Sequence, residues 1–184
     1  MKNLLTIAFI ALLISSCSSD ETHDNADVNF FPIAGNINAE LKELDTLPVG
    51  INKYTTSGTV TDTSVASKEE LREIASTLTE PDISDPSIKK YYTETVFYDK
   101  SSDFLTMSYT TTSSKPVVRK IEVLIKHETD KLRSIYVEKV ENKNDTIINN
   151  RLVWTPGKSL QVITISTLDG KENVKTVKYA WGVE

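Results

Sequence analysis

The residues able to do chemistry are few. One Cys, at position 17, and two His, at 23 and 127, stand in a chain of 184 residues. A lone thiol closes no disulfide within the chain, and a thiol nucleophile needs a folded, electropositive setting. The apolar run before Cys17 and the acidic run after it supply none. His127 stands beside Glu128 and Asp130 in a turn-like stretch, and His23 lies in a polar one. Two distant imidazoles make neither a dyad nor a metal set, so His127 reads as a surface turn residue. No Gly-x-Ser-x-Gly elbow, no strand-to-helix glycine loop and no His-Glu-x-x-His pattern occurs. Glu80-Pro81-Asp82-Ile83-Ser84-Asp85-Pro86 gathers hard oxygen donors that suit Ca²⁺. It lacks the alternating ligands, central Gly and closing Glu of a calcium loop, and Asp beside Pro commonly forms turns. A glycosidase carboxylate pair can come from anywhere in a fold, which leaves a small glycan-directed hydrolase open as a minor reading. No cofactor or metal is implied. Trp154 and Trp181 are the candidate ligand-stacking residues, with core packing as the ordinary alternative for each ring.

Composition bounds the class. With 39% hydrophobic and 26% charged residues, one core fits and a polytopic membrane protein does not. A net charge of -5 argues against a duplex nucleic-acid binder, whose interface is ordinarily basic. Met1-Lys2-Asn3 gives a positive start, and Leu4 to Ile14 is apolar apart from Thr6, the length of a signal-peptide h-region rather than of a membrane span. This run ends Leu13-Ile14-Ser15-Ser16-Cys17, which resembles a bacterial lipoprotein signal. The resemblance implies removal of residues 1–16 and makes Cys17 the lipid anchor. An ordinary signal peptide with an incidental Cys is the alternative. One acyl chain holds a protein only marginally, whereas several hold it permanently. Residues 17–28 are polar and acidic with nothing to bury, and read as a flexible tether.

The remainder, residues 29–184, reads as a single domain. Its charge is uneven: residues 17–114 hold 7 basic and 17 acidic groups, and residues 115–184 hold 13 and 9. The second part either pairs with the first or offers a mildly basic face to anionic lipid or polysaccharide. Phe30-Phe31-Pro32-Ile33 reads as an apolar knot docked on the core, and Ala39 to Leu44 as a short helix ending before Pro48. Tyr54 to Ala66 is Thr/Ser-rich and reads as an edge strand followed by a loop. Ser67-Lys68-Glu69-Glu70 carries a capping box, followed by Leu71, Ile74, Ala75 and Leu78 at helical spacing and a stop at Pro81.

From Tyr91 the period changes to that of strands. Seven extended stretches, ending with Val174 to Val183, alternate with turns such as Asp99 to Asp103, Glu141 to Asp145, Pro156-Gly157 and Asp169-Gly170. No connection there has room for a crossover helix, which disfavours a parallel sheet. The expected fold is α+β: one curved antiparallel meander of about seven strands on one short helix, half-barrel-like. The helix and residues 30 to 66 are expected to cover its two faces. Ile121, Val123 and Ile125 should face the core opposite Lys120, Glu122 and Lys126; Val177, Tyr179, Trp181 and Val183 should do so opposite Lys178 and Ala180.

The whole chain resembles uncharacterised envelope lipoproteins of Bacteroidetes. The likeness rests on Leu44-Asp45-Thr46-Leu47-Pro48, on Pro81-Asp82-Ile83-Ser84, on Leu132 to Glu138 and on Trp154 to Ser159. It implies an outer-membrane lipoprotein on the periplasmic or cell-surface face, and carries over no activity. Two non-catalytic readings precede the hydrolase: a module binding a lipid or other apolar ligand, and an accessory lipoprotein docking on another envelope protein. Partners are the membrane, reached through the N-terminal lipid, and a lipid, glycan or envelope protein, with no nucleic acid. Replacing Cys17 by Ser should abolish labelling with radioactive palmitate and release the protein from membranes. Retained membrane association without acylation would overturn the anchor.

Overall fold

The computed structural model describes residues 30–182. The leader, Cys17, His23 and the rest of the tether, and Val183 lie outside the described residues. In chain order the elements are α1 (Ile33–Thr46), β1 (Ile51–Ser57), β2 (Val60–Ala66), α2 (Lys68–Thr79) and α3 (Pro86–Lys89). Then come β3 (Thr93–Asp99), β4 (Phe104–Thr110), β5 (Val118–Lys126), β6 (Lys131–Lys143), β7 (Thr146–Thr155), β8 (Ser159–Leu168) and β9 (Lys171–Ala180). The sheet is antiparallel throughout, in the order β2-β1-β9-β8-β7-β6-β5-β4-β3, and does not close.

The meander is the expected one from β3 to β9, but the sheet has nine strands rather than seven. The stretch read as edge strand plus loop is a second hairpin, β1–β2, whose two-residue turn places Gly58 at φ 59. Every residue of β2 except Ala66 is exposed, so the strand has no apolar face for periodicity to reveal. Residues 51–66 therefore extend the sheet beside β9 instead of covering it. The meander turns behave as their residue types suggest: Asp103, Asp130, Asn144, Asp145 and Asp169 all take positive φ, which Asn and Asp tolerate best among non-glycine residues.

Two substantial helices, not one, cover a single face. α1 is longer than Ala39 to Leu44 because Ile33, Ile37, Leu41 and Leu44 form one buried stripe. Gly35, Asn36 and Asn38 lower the helix propensity of its first half and hide that stripe. The helix stops where Leu47, preceding Pro48, is forced to extended backbone at ψ 137. In α2, Ser67 accepts a hydrogen bond from the Glu70 amide at 3.0 Å, as a cap should. The Glu70 carboxylate does not return the bond. It receives Lys53 Nζ at 2.6 Å and Tyr179 O–H at 2.9 Å, tying α2 to β1 and β9.

Register explains the core. Tyr109, Ile121, Val137, Leu152, Val162 and Val177 form one cross-strand row, and Met107, Val123, Ile135, Trp154, Leu160 and Tyr179 the next. Both rows face α1 and α2. The following row on this face is polar beyond the buried Val118: Lys139, Asn150, Thr164 and Lys175. Lys139 is only 6% exposed, and its ammonium donates to the carbonyls of Thr77 and Glu80 at the end of α2. Burial pushes that amine below the ordinary lysine value. The opposite face carries charges, Lys120 with Glu122 and Arg151 with Glu138. Replacing Lys139 by Met keeps the buried stem but leaves the two carbonyls without their donor. Urea unfolding should show a loss of about 1–3 kcal/mol, the cost of stranding buried acceptors. An unchanged unfolding free energy would mean that these carbonyls do not depend on the lysine.

Candidate functional site

Trp154 is 0% exposed at the centre of the second core row, and its indole N–H needs a partner there. Glu40, half-buried on α1, supplies it: Trp154 Nε1 donates to Glu40 Oε2 at 2.8 Å. The other carboxylate oxygen accepts the amide of Gly157 in the β7–β8 turn. One side chain thus fastens α1 to a strand and to the turn that follows it. Gly157 sits at φ 69, and the chain end passes so near that a Cβ on Gly182 would lie 2.3 Å from the Gly157 carbonyl oxygen. The amides of Trp181 and Gly182 both donate to Lys158 O, at 3.0 and 3.3 Å. Trp181 is thereby held against Trp154 with ring centroids 5.1 Å apart and planes inclined by 47°.

These contacts leave an open cleft of about 590 Å³ between α1, the start of β6 and the β7–β8 turn. Leu44, Leu47, Leu132, Pro156 and Trp181 give it apolar walls, while Glu40, Glu43 and Lys131 supply charge. Burial is the largest influence on Glu40 and raises its carboxyl above the usual 4.5, against the lowering effect of the Gly157 and Trp154 hydrogen bonds. Of the two tryptophans, Trp181 lines the cleft and Trp154 has no exposed ring surface, so the pair is a core residue bearing a cleft residue. Nothing in the local sequence marks Glu40, whose partners are 114 and 117 residues away.

The other candidate residues are structural in their contacts. Asp82 accepts from the amide and hydroxyl of Ser84, and Asp85 from the amide of Ser87, which makes them turn and cap residues rather than a convergent ligand set. His127 opens a single 3₁₀ turn, exposed, with its ring 4.5 Å from that of Tyr98. Among the described residues no group of three or more His, Cys, Asp or Glu could hold a metal ion. No described helix is long and apolar enough to cross a membrane. No protein-family model, curated protein or solved structure matches the chain.

The raised Glu40 pKa has a signed consequence. The folded chain binds this proton more tightly than the unfolded chain, so the stability owed to Glu40 falls as pH rises from about 4.5 through the folded pKa. The unfolding free energy of the wild type relative to Glu40→Gln should therefore decline across that window and level off above it. A difference that climbs with pH would put the folded pKa below 4.5.

Proposed function

We propose that this protein is a lipid-anchored, non-catalytic envelope module that holds an apolar or amphiphilic ligand in the cleft beside Trp181. The observation that carries this reading is the cleft itself. Its volume of about 590 Å³ falls within the ~300–1,000 Å³ typical of small-molecule sites, and apolar walls with few polar groups are what such sites use. Trp181, 8% exposed, contributes the remaining open part of its ring to the apolar wall, while Lys131 and Glu43 supply charge that a polar head would meet. The outline of the fold supports the same reading. Register shifts between β5 and β6, at Val118/Lys120 and Leu124/Ile125, are the irregularities that bend a sheet, and a half-barrel curved around α1 and α2 would give the cleft its depth.

A hydrolytic role is less well supported by the same geometry. Glu40 and Glu43 are the carboxylates at the cleft, but both oxygens of Glu40 are already engaged by Trp154 and Gly157. A general acid or base must have an oxygen within reach of substrate. The accessory-lipoprotein reading has its own observation. β3 is a free edge strand on which Val96 and Phe97 are 55% and 64% exposed, and an open apolar edge is a surface to which another strand can add.

Ala39 is exposed on α1 and lines the cleft, so Ala39→Phe fills the space without removing a core side chain. Titrating the full chain with palmitate and following the emission of the Trp154–Trp181 pair should give a saturable 1:1 complex for the wild type. The variant should bind at least about tenfold more weakly, equivalent to ~1.4 kcal/mol, with unchanged unfolding. No complex with palmitate or a lysophospholipid, together with an envelope protein retained in a Phe97-dependent manner, would replace ligand binding by docking.

A further inference from the structure

The described chain begins at one end of the sheet, and a cluster of cations surrounds that point. The Phe30 ring stacks on Tyr109 with centroids 4.6 Å apart, and the Phe31 amide donates to the Tyr109 hydroxyl at 2.9 Å. Lys89 Nζ lies 5.3 Å from the centre of the Phe30 ring. Next to it, Lys90 and Lys115 reach the same ring, Tyr91, at 5.4 and 5.5 Å, although 25 residues separate them in sequence. Like charges converge on one aromatic group only where something holds them. Arg119 grips the carbonyls of Ser113 and Ser114 and fixes the loop bearing Lys115, while the Tyr92 hydroxyl donates to Val118 O at 2.8 Å and fixes the segment bearing Lys90. Among the described residues neither Lys90 nor Lys115 is in an ion pair with a carboxylate. Of the two acids nearest Lys90 in sequence, Glu94 is engaged with the Tyr109 hydroxyl and Asp85 is turned onto the Ser87 amide at 2.8 Å.

We infer that this end of the sheet, with Lys90, Tyr91 and Lys115 foremost, rests on the headgroups of an anionic bilayer. The inference deepens the proposed function and rests on Cys17 as its anchor. The 13 residue steps from Cys17 to Phe30 span at most about 47 Å when fully extended, so a lipid on Cys17 keeps Phe30 and the cations around it within that distance of the membrane. Two fixed ammonium groups without carboxylate partners complement lipid phosphates, and a tyrosine ring between them suits the headgroup level. An anchor supplies high local concentration, so two weak charge contacts suffice to select one orientation.

The test is lysine acetylation, read by mass spectrometry, on the full chain extracted from membranes and reconstituted into two kinds of vesicle. One kind contains phosphatidylglycerol in phosphatidylethanolamine, and the other is phosphatidylcholine alone. Lys90 and Lys115 should acetylate at least about threefold more slowly on the anionic vesicles at low salt, with the difference lost at high salt as the charges are screened. Lys131 and Lys158, both exposed at the cleft end of the sheet, should react equally on both. Equal acetylation of Lys90 and Lys115 on the two vesicles, with an acyl group present on the Cys17 peptide, overturns the orientation and leaves the anchor standing. A Cys17 peptide without acyl mass overturns the anchor, and with it the premise of the inference.

Discussion

The last carbonyls of α1 and α2 have no cation of their own, since neither helix carries a basic residue in its final turn. A helix end left that way exposes unpaired acceptors and the negative pole of its dipole. Both ends are capped by a lysine from another element. Lys68, in the first turn of α2, donates to Leu44 O, Asp45 O and Leu47 O at 2.8, 3.1 and 2.8 Å. Lys139, from the middle of β6, does the same for the end of α2. The helix layer is thereby indexed from the sheet outward: β6 fixes the end of α2, the start of α2 fixes the end of α1, and α1 then delivers Glu40 to Trp154. Arg72, paired with Asp45 at 2.7 Å, reinforces the middle link at an exposed position where an ion pair alone contributes little.

A buried ammonium is a costly way to end a helix, and its position in the sheet shows why it is tolerated. Two cross-strand rows are apolar and packed, and the third runs from the buried Val118 to Lys139 and then through Asn150, Thr164 and Lys175. The face therefore changes from core to polar surface within one repeat, just beneath the C-terminal end of α2. An apolar residue at 139 would pack there, but Thr77 O and Glu80 O would lose their donor. Desolvation opposes the charge, while Glu141 beside it on β6, Glu80, the two carbonyls and the helix pole favour it, so the site holds a lysine because of what lies both above it and beside it.

Much of this was legible in the sequence, and what was not has identifiable causes. The strands after residue 91 showed themselves through alternation and Asp, Asn and Gly turns, and α2 through Ser67 and its apolar spacing, because these signals are local. Lys139 shares the parity of Ile135 and Val137, but its charge gave no sign of burial in the sequence; its partners on α2 are 59 to 62 residues distant and left no trace. The β1–β2 hairpin was obscured because an exposed edge strand needs no apolar residues, and α1 because Gly35 and two asparagines interrupt its favourable residues. The cleft depended on contacts across more than a hundred residues, so only Trp181 could be suspected. The charge asymmetry of the chain proved less informative than its details. Lys126 with Asp103, at 3.2 Å, pairs across the two halves, while Glu70 and Arg151 find their ionic partners within their own half.

The two proposals constrain each other through strand direction. The cationic end of the sheet holds the beginnings of β3 and β5, whereas the cleft lies at the beginning of β6 and the end of β7, next to Lys131 and Pro156. In an antiparallel sheet these are opposite ends: Val118 pairs with Lys139, and eight residues of β6, about 26 Å at strand rise, separate Lys139 from Lys131. α1 spans the same interval, from the Phe31 contact with Tyr109 to Leu44 in the cleft wall, and its 14 residues measure about 21 Å. In the proposed orientation, with Lys90 and Lys115 against the headgroups, the cleft would lie at the end of the sheet remote from the bilayer. On that proposal the module would draw its ligand from the aqueous side, which would favour an amphiphile with measurable solubility over a phospholipid lifted directly from the membrane. The same orientation leaves the β3 edge standing up from the membrane surface with Val96 and Phe97 accessible, so ligand capture and strand docking need not compete for one face.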